Sequence, residues 1–202
     1  MTFEYHARVK PTSWLAALIL FLHLPIPLYW FVLHPLRGFW QSRQKAAYIT
    51  AVLCSWPPMT AGLVIYRHEL FRSGWPPLPM AVIGVCLIIF EGWIFWRVHH
   101  DLGTSRLVGR TELAGGAELQ SCGIYARIRH PRYTGSLLAI LGACLLDGTR
   151  VAWLVAAAWL LLMLLAIALE ERELRMRFGD PYREYCRRVP RFIPRLAGIS
   201  KA

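Results

Sequence analysis

Apolar positions fall in four long blocks, 14–33, 46–66, 78–96 and 151–169, each close to the roughly twenty residues a helix needs to cross the hydrocarbon core of a bilayer. The first, second and fourth contain no Asp, Glu, Lys or Arg, and the third contains only Glu91. A shorter run, 133–146, becomes a fifth span, 131–147, if its helix starts at Pro131, a favoured first-turn residue. Asp147, Gly148, Thr149 and Arg150 then form a tight helical-hairpin turn between the last two spans. The pattern predicts an all-α fold: a multi-pass transmembrane helical bundle of about five spans. It forms a single membrane domain over 1–202, with a connector at 97–130 and a polar C-terminal segment at 170–202.

Arg8 and Lys10 precede the first block, but it is too long for a signal peptide and has no small-residue cleavage pattern, so it reads as a retained anchor. Pro25, Pro27, Pro57 and Pro58 should kink or interrupt the first two spans. Gly135, Ala139 and Ala143 recur every four residues, a small face that would let the fifth span approach the fourth.

Composition agrees: 56% of the 202 residues are hydrophobic and only 17% charged, well below the quarter usual in soluble domains. The charge is lopsided, +11 from 23 basic and 12 acidic residues. Basic residues sit between apolar runs and carry no nucleic-acid-binding signature, so membrane lipid and not nucleic acid is the expected partner. With five spans and the C-terminus inside, eighteen of the 23 basic residues face the cytoplasm and five (Arg8, Lys10, Arg67, Arg72, Arg150) face outward. The positive-inside rule therefore places the N-terminus outside and the C-terminus inside a plasma or inner membrane.

Five cysteines form no CxxC pair and the histidines no metal-binding cluster, so no metal is expected. His99, His100 and Asp101 lack a fourth ligand of suitable spacing and read as a solvated loop. Glu91 is either functional, as an intramembrane acid often is, or a snorkelling residue beside Trp93, Trp96 and Arg97.

A hairpin of the last two spans returns Arg129, His130, Pro131 and Tyr133 to the same membrane face as Glu170 and Glu171. That grouping is either a polar ligand pocket or two juxtamembrane charge clusters. The local sequence is more specific. Residues Gly123, Tyr125, Arg129, His130, Pro131, Tyr133 and Gly135 follow the pattern GxYxxxRHPxYxG; Glu170, Glu171 and Leu174 follow EExxL. Phe178, Gly179, Tyr182 and Tyr185 follow FGxxYxxY, and Arg188, Val189 and Pro190 give RVP. In this order, over the last 80 to 100 residues, these blocks resemble the isoprenylcysteine carboxyl methyltransferase and phospholipid methyltransferase family.

The resemblance implies a membrane methyltransferase using S-adenosylmethionine, with a cytoplasmic C-terminal helical lid. His130, Pro131, Tyr133, Gly135, Tyr125, Glu170, Tyr182 and Tyr185 would bind the cofactor, its carboxylate lying at the start of the helix at Pro131. Arg188, Glu171 and Arg129 would be catalytic. The favoured acceptor is a lipophilic small molecule or lipid-modified substrate carrying a carboxylate, oriented by Arg188; for an amine or phenol, Glu171 or a lid tyrosine would take the proton. Alternatives are a phospholipid N-methyltransferase, a sterol-reductase-like enzyme and a non-catalytic lipid-binding protein. The helix of the lid should restart after Gly179 with Asp180 as N-cap and Pro181 in its first turn, putting Tyr182 and Tyr185 on one face.

Overall fold

The computed structural model describes residues 11–33, 35–70, 75–107 and 118–194. Arg8, Lys10, Arg72, Arg110, Arg195 and Lys201, counted in the charge argument, lie outside them, as does the side chain of Arg106. The described residues are helical, with no strand. In order they form α1 (Pro11–His23), α2 (Ile26–Leu33), α3 (Arg37–Trp40), α4 (Gln44–Ile65), α5 (Arg67–Leu70) and α6 (Leu78–Leu107). A 3-10 turn (Gly123–Ala126), α7 (Pro131–Asp147), α8 (Arg150–Phe178) and α9 (Asp180–Arg188) follow.

Among the described residues, four helical stretches are long and apolar enough to cross a membrane: Pro11–Leu33, Gln44–Ile65, Leu78–Gly103 and Arg150–Phe178. The expected fourth span, α7, has 17 residues, about 25 Å at 1.5 Å per residue, and falls just short. It is the central helix, packed most extensively on α6 and then α1, and eleven of its residues are buried. Protein, not lipid, surrounds most of it. Large apolar side chains on α4, α6 and α8, such as Ile65, Ile89, Leu154 and Leu161, point outward, where lipid tails suit them.

The first span breaks at Leu24 and Pro25, as the prolines predict. Pro27 has no N–H for the His23 carbonyl four residues back. The indole N–H of Trp159 on α8 donates to that carbonyl instead, at 3.0 Å. The second span does not break: α4 runs through Pro57 and Pro58. Both prolines are exposed, and the Ser55 and Thr60 hydroxyls donate to the Ala51 and Trp56 carbonyls around them.

The small face of α7 receives the third span at Gly135, not the fifth: a Cβ there would lie 3.3 Å from Ile94 and 3.5 Å from Glu91 of α6. Higher up, a Cβ on Gly142 would sit 2.7 Å from the Gly84 carbonyl and 2.8 Å from Ile88. Backbone meets backbone there, so Gly142→Leu should cost about 3 kcal/mol by overpacking. Gly62→Ala, with open space above it, should cost nothing measurable. Thermal unfolding of the two detergent-purified variants checks this; equal midpoints would contradict it.

The hairpin turn forms as expected. Gly148 is left-handed, Thr149 caps α8 by accepting from the Ala152 N–H, and Asp147 accepts from the Thr149 N–H and hydroxyl. Two helices outrun their apolar blocks. α6 continues past Trp96 to Leu107, bending at Gly103 (φ 71°), and α8 continues past Leu169 to Phe178. These polar extensions carry Asp101 and Glu170 to Glu173 to one end of the bundle. There Arg37, after the first span, pairs with Glu173 at 3.0 Å. Loops expected to share a membrane face thus meet in space.

Candidate active site

Glu171 organises that end. It is buried to 1% exposure and stands on α8 where the hairpin returns to the start of α7. Its Oε1 accepts from Arg129 (2.8 Å), His130 Nε2 (3.1 Å) and Arg191 Nε (3.0 Å); Oε2 accepts from Arg175 (3.0 Å) and a second Arg191 nitrogen (2.6 Å). Three guanidiniums and an imidazole around one carboxylate make a tightly satisfied knot. The bidentate bond to Glu171 raises the Arg191 guanidinium above its ordinary value. These contacts occupy both oxygens of Glu171.

The RVP block closes the same knot through its backbone. The N–H groups of Arg129 and His130 donate to the carbonyls of Pro190 (2.9 Å) and Arg191 (3.1 Å). The His130 ring packs between Tyr133 and Phe192, at centroid distances of 5.6 and 6.1 Å. The motif before α7 and the segment after α9 are therefore joined backbone to backbone, though they are about sixty residues apart.

α9 lies against α8. Gly179 (φ 58°) serves as both C-cap of α8 and N-cap of α9. That corrects the expected capping role of Asp180: a positive φ calls for glycine, and the Asp180 side chain turns outward to Arg183. Tyr182 and Tyr185 do share the buried face, with centroids 6.0 Å apart. The Tyr185 hydroxyl donates to the Tyr125 carbonyl at 2.7 Å. Burial, above all, pushes both phenols above the usual tyrosine range, so they remain neutral donors.

Between these elements lies a cleft enclosing about 110 Å³, lined by Tyr125, Arg129, His130, Glu170, Tyr182 and Tyr185 among others. Six residues expected at the site thus meet around one space. Glu170 is held by the Tyr133 hydroxyl at 2.5 Å. The Arg129 Nε–H is buried with no acceptor among the described residues. Pro131, Tyr133 and Gly135 stand behind the wall and do not line it. Arg188 lies elsewhere: its side chain is 70% exposed and its nearest acid is Glu184, at 3.6 Å.

The remaining walls include Leu102, Glu118, Leu119, Leu174, Arg177 and Phe178. Of these, Leu174 and Phe178 continue the Glu170 face at four-residue spacing, a signal present in the chain. Asp101, read from the sequence as part of a solvated loop, has a different place: it accepts from the Ile124 N–H at 2.6 Å. That bond holds the first turn of the GxY motif in place, and no pattern of spacing announces it.

The description "Phospholipid methyltransferase" belongs to the family model that matches residues 80–181. Methanethiol S-methyltransferase 1 of Bradyrhizobium diazoefficiens is 31% identical over 140 residues, 59% of this chain and 48% of that protein. Protein-S-isoprenylcysteine O-methyltransferase of Xenopus laevis is 26% identical over 162 residues, 76% of this chain and 52% of that protein. Delta(14)-sterol reductase of Mus musculus is 28% identical over 153 residues, 69% of this chain and 36% of that protein. The chain spans about half the length of the methyltransferases it matches. No solved structure matches it.

Proposed function

Because the chain belongs to the phospholipid methyltransferase family, we propose that it transfers a methyl group from S-adenosylmethionine to a lipophilic acceptor at the cytoplasmic face of a membrane. When bound, the sulfonium supplies an activated methyl carbon. The chain's task is to hold charges, exclude water and align the acceptor. The observation that carries this reading is that residues of opposite charge line one cleft: Glu170, fixed by Tyr133, and Arg129, whose Nε–H has no acceptor among the described residues. An amino acid's ammonium and carboxylate match those two groups. The enclosed volume is smaller than the 300 to 1,000 Å³ common for complete ligand sites, and it suits the methionine end of the cofactor. The aromatic faces of Tyr125, Tyr182 and Tyr185 supply an apolar wall, and α9 serves as the lid.

Calorimetric titration of the detergent-purified protein with S-adenosylmethionine tests the reading. Glu170→Ala should weaken binding at least tenfold, about 1.4 kcal/mol. Arg188→Ala, a surface change, should leave it within about twofold. A folded wild type that does not bind removes the proposal. Binding of a reduced nicotinamide in its place would favour the reductase-like alternative.

The finer choice of acceptor changes with the geometry. The family resemblance favours a carboxylate acceptor oriented by Arg188, and that side chain is 70% exposed and does not line the cleft. The methanethiol and isoprenylcysteine enzymes to which this chain is similar are named for a thiol acceptor and for O-methylation respectively. Resemblance alone therefore leaves both chemistries in play.

A further inference from the structure

The outward face of α8 changes its chemistry within one turn. Leu154, Leu161, Leu165, Arg172 and Met176 follow one another at helical spacing. The three leucines and Met176 are more than half exposed and Arg172 is exposed as well, so one line of side chains faces away from the protein. Its charged limits are Arg150 and Arg172, about 33 Å apart at 1.5 Å per residue, close to the roughly 30 Å of a bilayer's hydrocarbon core. With lipid tails against the leucines, Arg172 stands at the edge of that core. Arg175 and Met176 come one turn later, at the depth of the lipid phosphates.

Positive charge gathers there in surplus. Arg175 and Arg191 end on the same atom, Glu171 Oε2, at 3.0 and 2.6 Å, and each side chain is about half exposed. Arg175 binds through a single nitrogen, which leaves most of the five donors of its guanidinium for an outside acceptor. Glu171 is shared with Arg129 and His130 as well, and Arg172 has no acid partner among the described residues. The next acid along α8, Glu173, is taken by Arg37 at 3.0 Å. One carboxylate therefore stands against four guanidinium groups. On the outer face of α9, by contrast, Arg183 and Arg187 each lie beside an acid, Asp180 at 3.1 Å and Glu184 at 3.2 Å. Exposed apolar side chains flank the surplus in the chain: Met176 follows Arg175, and Ile193 comes two residues after Arg191.

We propose that Arg172, Arg175 and Arg191 form a docking surface for the phosphate of an anionic phospholipid in the leaflet at this end of the bundle. A guanidinium fork matches two phosphate oxygens at once, and a phosphate between Arg175 and Arg191 relieves the repulsion of two like charges that share one carboxylate oxygen. The occupant is an anionic lipid and not a zwitterionic one, because an ammonium on the headgroup would meet a surface whose nearby acids are already engaged. Attraction of juxtamembrane basic residues to anionic lipid supplies the driving force. None of the three arginines lines the cofactor cleft, so the surface stands apart from the methyl-transfer reading and is tested without cofactor.

The full-length protein in neutral detergent is titrated with dioctanoylphosphatidylglycerol, dioctanoylphosphatidylcholine and inorganic phosphate. The wild type should bind the phosphatidylglycerol about tenfold or more tighter than the phosphatidylcholine, and inorganic phosphate at matched concentration should not displace it. Replacing both Arg172→Gln and Arg175→Gln should bring the two lipids within about twofold of each other. Replacing Arg183→Gln and Arg187→Gln together removes the same charge from α9 and should leave the wild-type preference within about twofold. Should the first double variant fail to fold, Arg172→Gln alone decides: it changes one exposed side chain and should lower the preference about threefold or more. Equal affinity of the wild type for the two lipids overturns the proposal, as does a preference that Arg172→Gln leaves unchanged. Displacement by inorganic phosphate would make the surface a site for any free anion, and an equal loss in the α9 variant would reduce it to net charge; either result also overturns it.

Discussion

Replacing Glu171 with alanine should destabilise the protein by about 3–5 kcal/mol, the usual cost of removing one partner from a buried ion pair. The magnitude follows from what is left behind. Arg129 and His130 are largely buried, with side-chain exposures of 10% and 3%, and both point at Glu171. Without the carboxylate, two positive or polar groups remain desolvated, with the Cys186 sulfur the weak acceptor left to Arg129. Arg175 and Arg191, about half exposed, can turn to water and add less. Because Arg129 and His130 also line the cleft, the same variant should lose S-adenosylmethionine binding. Glu171→Gln keeps an acceptor oxygen and should fall between the two. Chemical unfolding in detergent, read alongside the titration, checks both effects; a Glu171→Ala protein within about 1 kcal/mol of wild type would refute the anchoring role.

The second large effect is expected at Gly123. Its φ is +62°, a conformation that β-branched residues rarely adopt, and a Cβ there would run into the Oδ2 and Cγ atoms of Asp101. Gly123→Val must both strain the turn, by about 1–3 kcal/mol, and expel the carboxylate. Asp101 would then release the Ile124 N–H, a charge-assisted bond of about 1.5–3 kcal/mol. The damage should stay local, since the 3-10 turn packs on the end of α6 and not on the main core. We expect cooperative unfolding of the bundle to persist while cofactor affinity falls about tenfold or more, because Tyr125 is displaced from the cleft and its carbonyl from Tyr185. Unchanged affinity would show that this turn does not position the site.

Much of this was legible in the chain because two of the governing rules are local. Twenty apolar residues in lipid become a helix whatever their order, since no other backbone arrangement satisfies its own hydrogen bonds there. Asp147 to Arg150 likewise specified the hairpin, and the hairpin alone requires the RHP motif to meet Glu170 and Glu171. Tyr182 and Tyr185 could be assigned to one face from their spacing. Arg188 could not be placed in this way. It follows Tyr185 by three residues on a nine-residue helix, and whether such a position faces the cleft or water depends on the rotation of α9 against α8.

The chain by itself determined the helices, their break at Pro25 and the grouping of its motif blocks at one end, all consequences of hydrophobic length, backbone valence and helical period. Tertiary packing decided the roles. Glu170 and Glu171 are adjacent in sequence and equally acidic, yet one faces the cleft and the other is consumed by Arg129, His130, Arg175 and Arg191. His23 and Glu91, 68 positions apart, come within 3.5 Å of each other only because α1, α6 and α7 converge. Periodicity says which way a side chain leaves its own helix; what it meets there is set by how the helices rotate and cross, and that depends on contacts distributed over the whole bundle.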